Sequence, residues 1–217
     1  MATHDRRNSG MSPITRIPIE GVEPAELVPP PSLFLHASAL HGQTHVGRVL
    51  VHAFRLVRAT GLAAEAPRLW AAVYLHDLAR LHDGDCEDHG PNAVRLFGGR
   101  ADLRALFARA GVRDSDYPAI GFAVSHHSSW RELPPDAPHE TLAALLEDAD
   151  ALDRVRLGDL DPSRLRLGPS AEMVPFAKRL YDETDGSLPQ GPDYFARLWP
   201  RAVEIERSLG RTSATDI

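Results

Sequence analysis

The sequence predicts an all-α fold, a helical bundle in one domain behind a flexible N-terminal arm. Three observations carry this. From Leu33 onward the apolar residues recur at helical spacing nearly everywhere. No alternation of apolar and polar residues is long enough to mark a strand. Short breaks rich in Gly, Pro and Asp punctuate the chain at Gly61, Asp83-Gly84-Asp85, Gly98-Gly99, Gly111, Pro134-Pro135, Asp161-Pro162 and Gly191-Pro192. The 217 residues are enough for a single core of useful size. Hydrophobic residues at 43% and charged residues at 25% are ordinary globular values and exclude wholesale disorder.

Taken in order, residues 1–32 are polar, rich in proline and without a period of either kind, closing on Pro29-Pro30-Pro31. They read as a flexible or extended arm. The domain proper is expected over 33–217, with helices near 33–40, 43–60, 66–82, 90–98, 101–110, 116–128, 139–155, 171–185 and 193–209. The 66–81 stretch is apolar almost all round, which is the pattern of a buried helix. Between the last helix of the 41–155 core and the pair at 171–209, Arg154 to Leu167 reads as a turn-rich connection. The aromatics of the final pair (Phe176, Tyr181, Tyr194, Phe195, Trp199) suit a core or a homodimer interface.

The formal charge is −6, from 24 Lys and Arg against 30 Asp and Glu. That balance argues against a protein whose task is to grip a long nucleic-acid backbone. No apolar run approaches the roughly 20 residues of a membrane span, and Met1 to Glu20 holds no apolar signal-peptide core, so the default compartment is the cytoplasm. The single cysteine, Cys86, excludes an internal disulfide and a cysteine-rich zinc module. There is no phosphate-binding Gly-x-x-x-x-Gly-Lys loop and no dinucleotide-binding Gly-x-Gly-x-x-Gly.

The informative residue is histidine. There are 11, and His41, His45, His52, His76, His82, His89, His126 and His127 all fall between residues 41 and 127. On a helix, His45 lies roughly 40° and His52 roughly 20° from His41, which makes an imidazole stripe; each alone also suits an ordinary half-buried histidine. His76 and Asp77 are adjacent inside the apolar 66–81 stretch, with Arg80 angularly between them. A buried carboxylate needs a partner. Arg80 would answer that need as an ion pair, and a bound cation would answer it while also accounting for the imidazole. On the helix of residues 141–155 the apolar stripe is Leu142, Leu145, Leu146, Ala149 and Leu152. Asp153 falls within it, and Asp148 and Asp150 flank its two edges by roughly 40°. The helical wheel does not choose among these three acids.

The ordered elements His-Val-Gly-Arg-Val at 45–49, Leu-His-Asp-Leu-Ala-Arg at 75–80, His89, Ser-His-His at 125–127 and Asp-Ala-Asp-Ala-Leu-Asp at 148–153 resemble the HD-domain superfamily of metal-dependent phosphohydrolases, an all-α bundle. The likeness covers roughly residues 41 to 155, and the stretch from His82 to Pro91 is similar to a bacterial branch of that superfamily. The resemblance implies that His45, His76, Asp77 and Asp150 hold a first metal ion. It implies that Asp77 bridges to a second ion held by His89 and by His126 or His127. It chooses Asp150 from its Ala-Asp-Ala-Leu context. Where many members carry a lysine three residues after the HD aspartate, this chain has Arg80, which keeps the charge and cannot titrate.

The chemistry so implied is hydrolysis of a phosphomonoester or phosphodiester, with a hydroxide made available by divalent ions, two on this pattern, among Fe, Mn, Ni, Zn and Mg. Asp77 and Arg80 are then the candidate catalytic residues, and Arg48, Arg80 and Arg154, each within about one turn of a proposed ligand, the candidate phosphate contacts. Structural ion pairs are the competing role for each arginine. The substrate class is a small phosphorylated molecule, a nucleotide above all. Two other functions compete: a mixed-valent di-iron oxygenase of the same fold, and a non-catalytic regulatory or binding module.

Overall fold

A computed structural model of the chain describes residues 15–128, 137 and 139–215. Among the described residues the regular structure is helical throughout, with no strand. The α-helices are α1 (Gln43–Ala59), α2 (Ala66–Leu75), α3 (His89–Phe97), α4 (Ala101–Arg109), α5 (Tyr117–His126), α6 (Glu140–Leu152), α7 (Val174–Thr184) and α8 (Tyr194–Thr215). Helix α1 runs through the middle, packed on α2, α6 and α8, while α5 packs on α2, α6 and α3. Almost every side chain from His45 to Phe54 is buried, polar ones included, so α1 is a core helix whose histidines and Arg48 must find partners inside the protein. Gly47 permits its closest contact. A Cβ there would stand 2.5 Å from the Tyr194 ring of α8.

Several expectations are corrected. The helix expected over 33–40 is absent. A 3-10 turn at Pro31–Leu33 is followed by bends, and the Ser38 hydroxyl accepts from the backbone N–H of Leu40 and His41 at 3.0 and 2.7 Å, the local bond with which serine competes against helix. His41 therefore precedes α1, and the three-histidine stripe is not one helix face. The arm is extended but not loose over its described part. Leu27 and Val28 are buried in the core, Trp70 Nε1 donates to Leu27 O at 2.8 Å and Gln43 Nε2 to Pro29 O at 3.1 Å; residues 1–14 lie outside the described residues.

Helix α2 stops at Leu75 rather than continuing to residue 82. The chain tightens into 3-10-type bonds, Leu78 N to Leu75 O at 3.1 Å and Arg80 N to Asp77 O at 3.3 Å, which lets Asp77 turn off the helix axis. Likewise α6 ends at Leu152 and passes into a 3-10 turn at Asp153–Leu157. The segment that follows is pinned by Asp148, which is buried rather than edge-exposed. It accepts from Arg166 N at 2.9 Å, Leu167 N at 2.8 Å and the Ser170 hydroxyl.

Candidate metal centre

Five helix ends converge. His45 stands in the first turn of α1, His76 caps α2 with Asp77 beside it, His89 opens α3, His127 caps α5 and Asp150 lies in the last turn of α6. All four imidazoles are buried. Each uses Nδ1 to reach an acceptor: His45 to Asp153 Oδ2 at 2.8 Å, His76 to Val73 O at 2.7 Å, His127 to Val124 O at 2.7 Å, and His89 to Cys86 O. An acceptor at Nδ1 fixes the proton there and leaves the Nε2 lone pair facing the other way. The Nε2 atoms do face one another, His45 to His76 at 3.2 Å and His89 to His127 at 3.0 Å.

Asp77 sits between the pairs. Its Oδ2 is 3.4 Å from His45 Nε2 and 3.6 Å from His76 Nε2, and its Oδ1 is 3.2 Å from His89 Nε2 and 3.9 Å from His127 Nε2. Asp150 Oδ1 lies 3.2 Å from His45 Nε2. Two overlapping groups result, His45, His76 and Asp150 in one and His76, Asp77 and His127 in the other, each with ligand atoms within 4.8 Å of one another.

Electrostatics confirm how unusual this arrangement is for a protein interior. Burial pushes the Asp77 carboxyl up, yet the imidazoles around it, His76 foremost, hold it well below the usual range. Asp150 is likewise held low against burial by its hydrogen bond to His45. Burial and Arg156 press His45 down, and the carboxylates of Asp150, Asp153 and Asp77 overcome them, raising it to about 9, so a proton takes Nε2 near neutral pH wherever a cation does not. Burial, with His76 and His89 beside it, drives His127 down to about 3. Lone pairs and carboxylate oxygens thus crowd one buried space in which nitrogen and oxygen donors suit a borderline divalent cation. The donor set fits such an ion, and Asp153 stands behind His45 as a carboxylate commonly stands behind a metal-ligating histidine.

The structure brings together His45, His76, Asp77, His89, His127 and Asp150, and it leaves two expected residues out. His126 turns away. Its Nδ1 meets Phe122 O at 2.8 Å and its ring stacks on Phe122 at 4.2 Å between centroids, because adjacent residues on a helix diverge by about 100°. Arg48 is no cleft residue. It is buried, donates from Nε and Nη2 to Asp153 at 2.6 and 3.1 Å, and lies over the Tyr181 ring.

Arg80 and Arg154 do line the cleft over the cluster, which encloses about 1050 Å³. Arg80 Nη1 is 3.4 Å from His89 Nε2 and 3.6 Å from Asp77 Oδ1, while its Nη2 donates to Gly84 O at 2.8 Å. Arg154 pairs with Asp159. His41, which the sequence places in an imidazole stripe without a site role, lines the cleft with its ring edge on His45 and its Nδ1 3.2 Å from Asp83 Oδ1. Burial holds His41 down to about 4. Sequence reasoning passed over Arg156, whose signal is its place three residues after Asp153. No protein-family model, curated protein or solved structure matches this chain.

Proposed function

We propose that this protein is a metal-dependent phosphohydrolase of the HD type, acting on a small phosphorylated molecule of the nucleotide class. The observation that carries the reading is the split carboxylate of Asp77, one oxygen toward each histidine pair. His45, His76, Asp77 and Asp150 would hold one divalent ion, and Asp77 with His89 and His127 would hold a second. Such ions would supply Lewis acidity toward phosphoryl oxygens and a hydroxide near neutral pH.

The rest is done by the chain. Asp153 and the Val73, Cys86 and Val124 carbonyls fix the tautomers and aim four lone pairs inward. Arg80, tied by Gly84 O, presents a permanent positive charge to the phosphoryl group, and Arg154 lies along the same cleft. The long acidic and polar rim leaves room for the organic part of the substrate.

The test is metal analysis of the purified chain, followed by a phosphate-release screen over a nucleotide panel with the matching metal. Asp77→Ala is expected to lower bound metal by at least half and abolish turnover while helical circular dichroism is retained. Unchanged metal content and turnover in Asp77→Ala would refute the assignment of the site. Oxygen uptake by the iron-loaded chain, with no phosphate released from any member of the panel, would turn the reading toward the di-iron oxygenase.

A further inference from the structure

Arg156 is a guanidinium of the cleft whose only close carboxylate already serves other donors. Its side chain is only 5% exposed, yet Nη1 is buried without a hydrogen-bond partner. The nearest carboxylate oxygen, Asp153 Oδ2, stands 3.6 Å away and already accepts from Arg48 Nη2 and His45 Nδ1, while Asp153 Oδ1 accepts from Arg48 Nε. One carboxylate therefore faces two arginines and an imidazole N–H. Nε of Arg156 donates to Leu40 O at 3.1 Å, so the guanidinium is held in place, and the residue lines the cleft. A buried cation left without its full complement of acceptors is costly unless an anion is supplied.

The local helix type puts it there. Residues three apart eclipse in a 3-10 turn, so within Asp153–Leu157 Arg156 stacks over Asp153, the residue that orients His45. Arg80 occupies the other end of the cluster, against His89 and Asp77 Oδ1. The cluster is thus bracketed by guanidiniums, one at the His45 end and one at the His89 end. The rim between residues 83 and 87 is acidic and exposed, with Asp83, Asp85 and Glu87 lining the cleft, which disfavours further phosphates on that side.

We infer that Arg156 is the second phosphate-positioning guanidinium of this cleft, and that with Arg80 it selects a terminal, doubly charged phosphate over a phosphodiester. The inference rests on the phosphohydrolase reading above. A terminal phosphate offers three non-bridging oxygens and two charges, enough to meet metal ions and both forks at once. A diester offers two oxygens and one charge, and leaves one fork unmet.

The test compares the wild-type chain, Arg156→Gln and Arg156→Lys, all metal-loaded, on p-nitrophenyl phosphate, bis(p-nitrophenyl) phosphate and binding of inorganic phosphate. The wild type is expected to prefer the monoester. Arg156→Gln should weaken phosphate binding and raise the monoester KM by roughly 10- to 100-fold, with metal content retained and a much smaller loss on the diester, and Arg156→Lys should recover part of the loss. Equal losses on monoester and diester, or none on either, overturn the inference while leaving the metal-dependent reading standing. A wild-type chain that takes up no metal and binds no phosphate overturns both.

Discussion

His52 lies about two helical turns beyond His45 on α1 and does nothing that the cluster requires. It is wholly buried against Phe176, and neither ring nitrogen has a hydrogen-bond partner among the described residues. Burial holds it down to about 3, so the folded state keeps it neutral at pH values where the unfolded chain, near 6.5, is protonated. Between pH 6.5 and 3 the unfolded state binds the extra proton, so this residue's contribution to stability is fully present above 6.5 and is lost as pH falls through that window. The loss amounts to about 2 kcal/mol at pH 5. Replacing both unpaired nitrogens by carbon removes the penalty. His52→Leu is therefore expected to stabilise the protein by about 2 kcal/mol more at pH 5 than at pH 8, read from urea denaturation of both chains at each pH. An equal difference at the two values would show that His52 has a partner or titrates normally.

At the scale of elements, the cluster depends on how closely α3 approaches α5. Gly90 makes that approach. A Cβ there would overlap the Val124 carbonyl oxygen and stand 3.3 Å from Ser125 Cα, one residue from His89 on α3 and two from His127 on the neighbouring helix. Gly90→Ala must push the helices apart and so separate the 3.0 Å pair of His89 and His127. The expected outcome is loss of about one metal equivalent per chain by elemental analysis, with about 1–3 kcal/mol of lost stability; full metal content would show that the second group holds no ion.

How much of this the sequence reveals follows from what sets each element. The spans of α1, α4 and α6 are legible to within a few residues because local apolar spacing and helix breakers decide them. The end of α2 is not legible, since Leu75 is followed by more apolar residues and the stop is made by tertiary demand on Asp77. The choice of His127 over His126 turns on about 100° of helix rotation that fixes which ring enters the space beside His89. Arg48 and Arg156 exchange their expected importance because α6 passes into a 3-10 turn, which brings Asp153 to Arg48 and stacks Arg156 above it. Asp153 itself is visible in the apolar stripe, and structural ion pairs are the role the sequence leaves open for each arginine.

At the scale of the whole molecule, the cluster is a concentration of like demands inside an otherwise well-packed helical protein. Aromatic and aliphatic side chains from α1, α2, α5, α6 and α8 form one continuous core around it, so the fold does not wait on metal as a zinc finger does. The acidic sum of −6 includes Asp77 and Asp150, whose charges are spent at the site rather than on the surface. A cation bound only by the folded chain then adds stability in proportion to the logarithm of its excess over Kd. At about 100 times Kd this is about 2.7 kcal/mol, or roughly 5–10 °C in Tm for a chain of this size. Thermal unfolding with a saturating divalent ion and again with excess chelator is expected to differ by that amount, with a cooperative transition and native helical content in both. Asp77→Ala should abolish the shift, because it removes the carboxylate shared by both histidine groups. A chelated chain that lost its helices would mean that metal builds the fold. A wild-type Tm indifferent to every borderline divalent ion would mean that the inward-facing lone pairs are satisfied by protons alone.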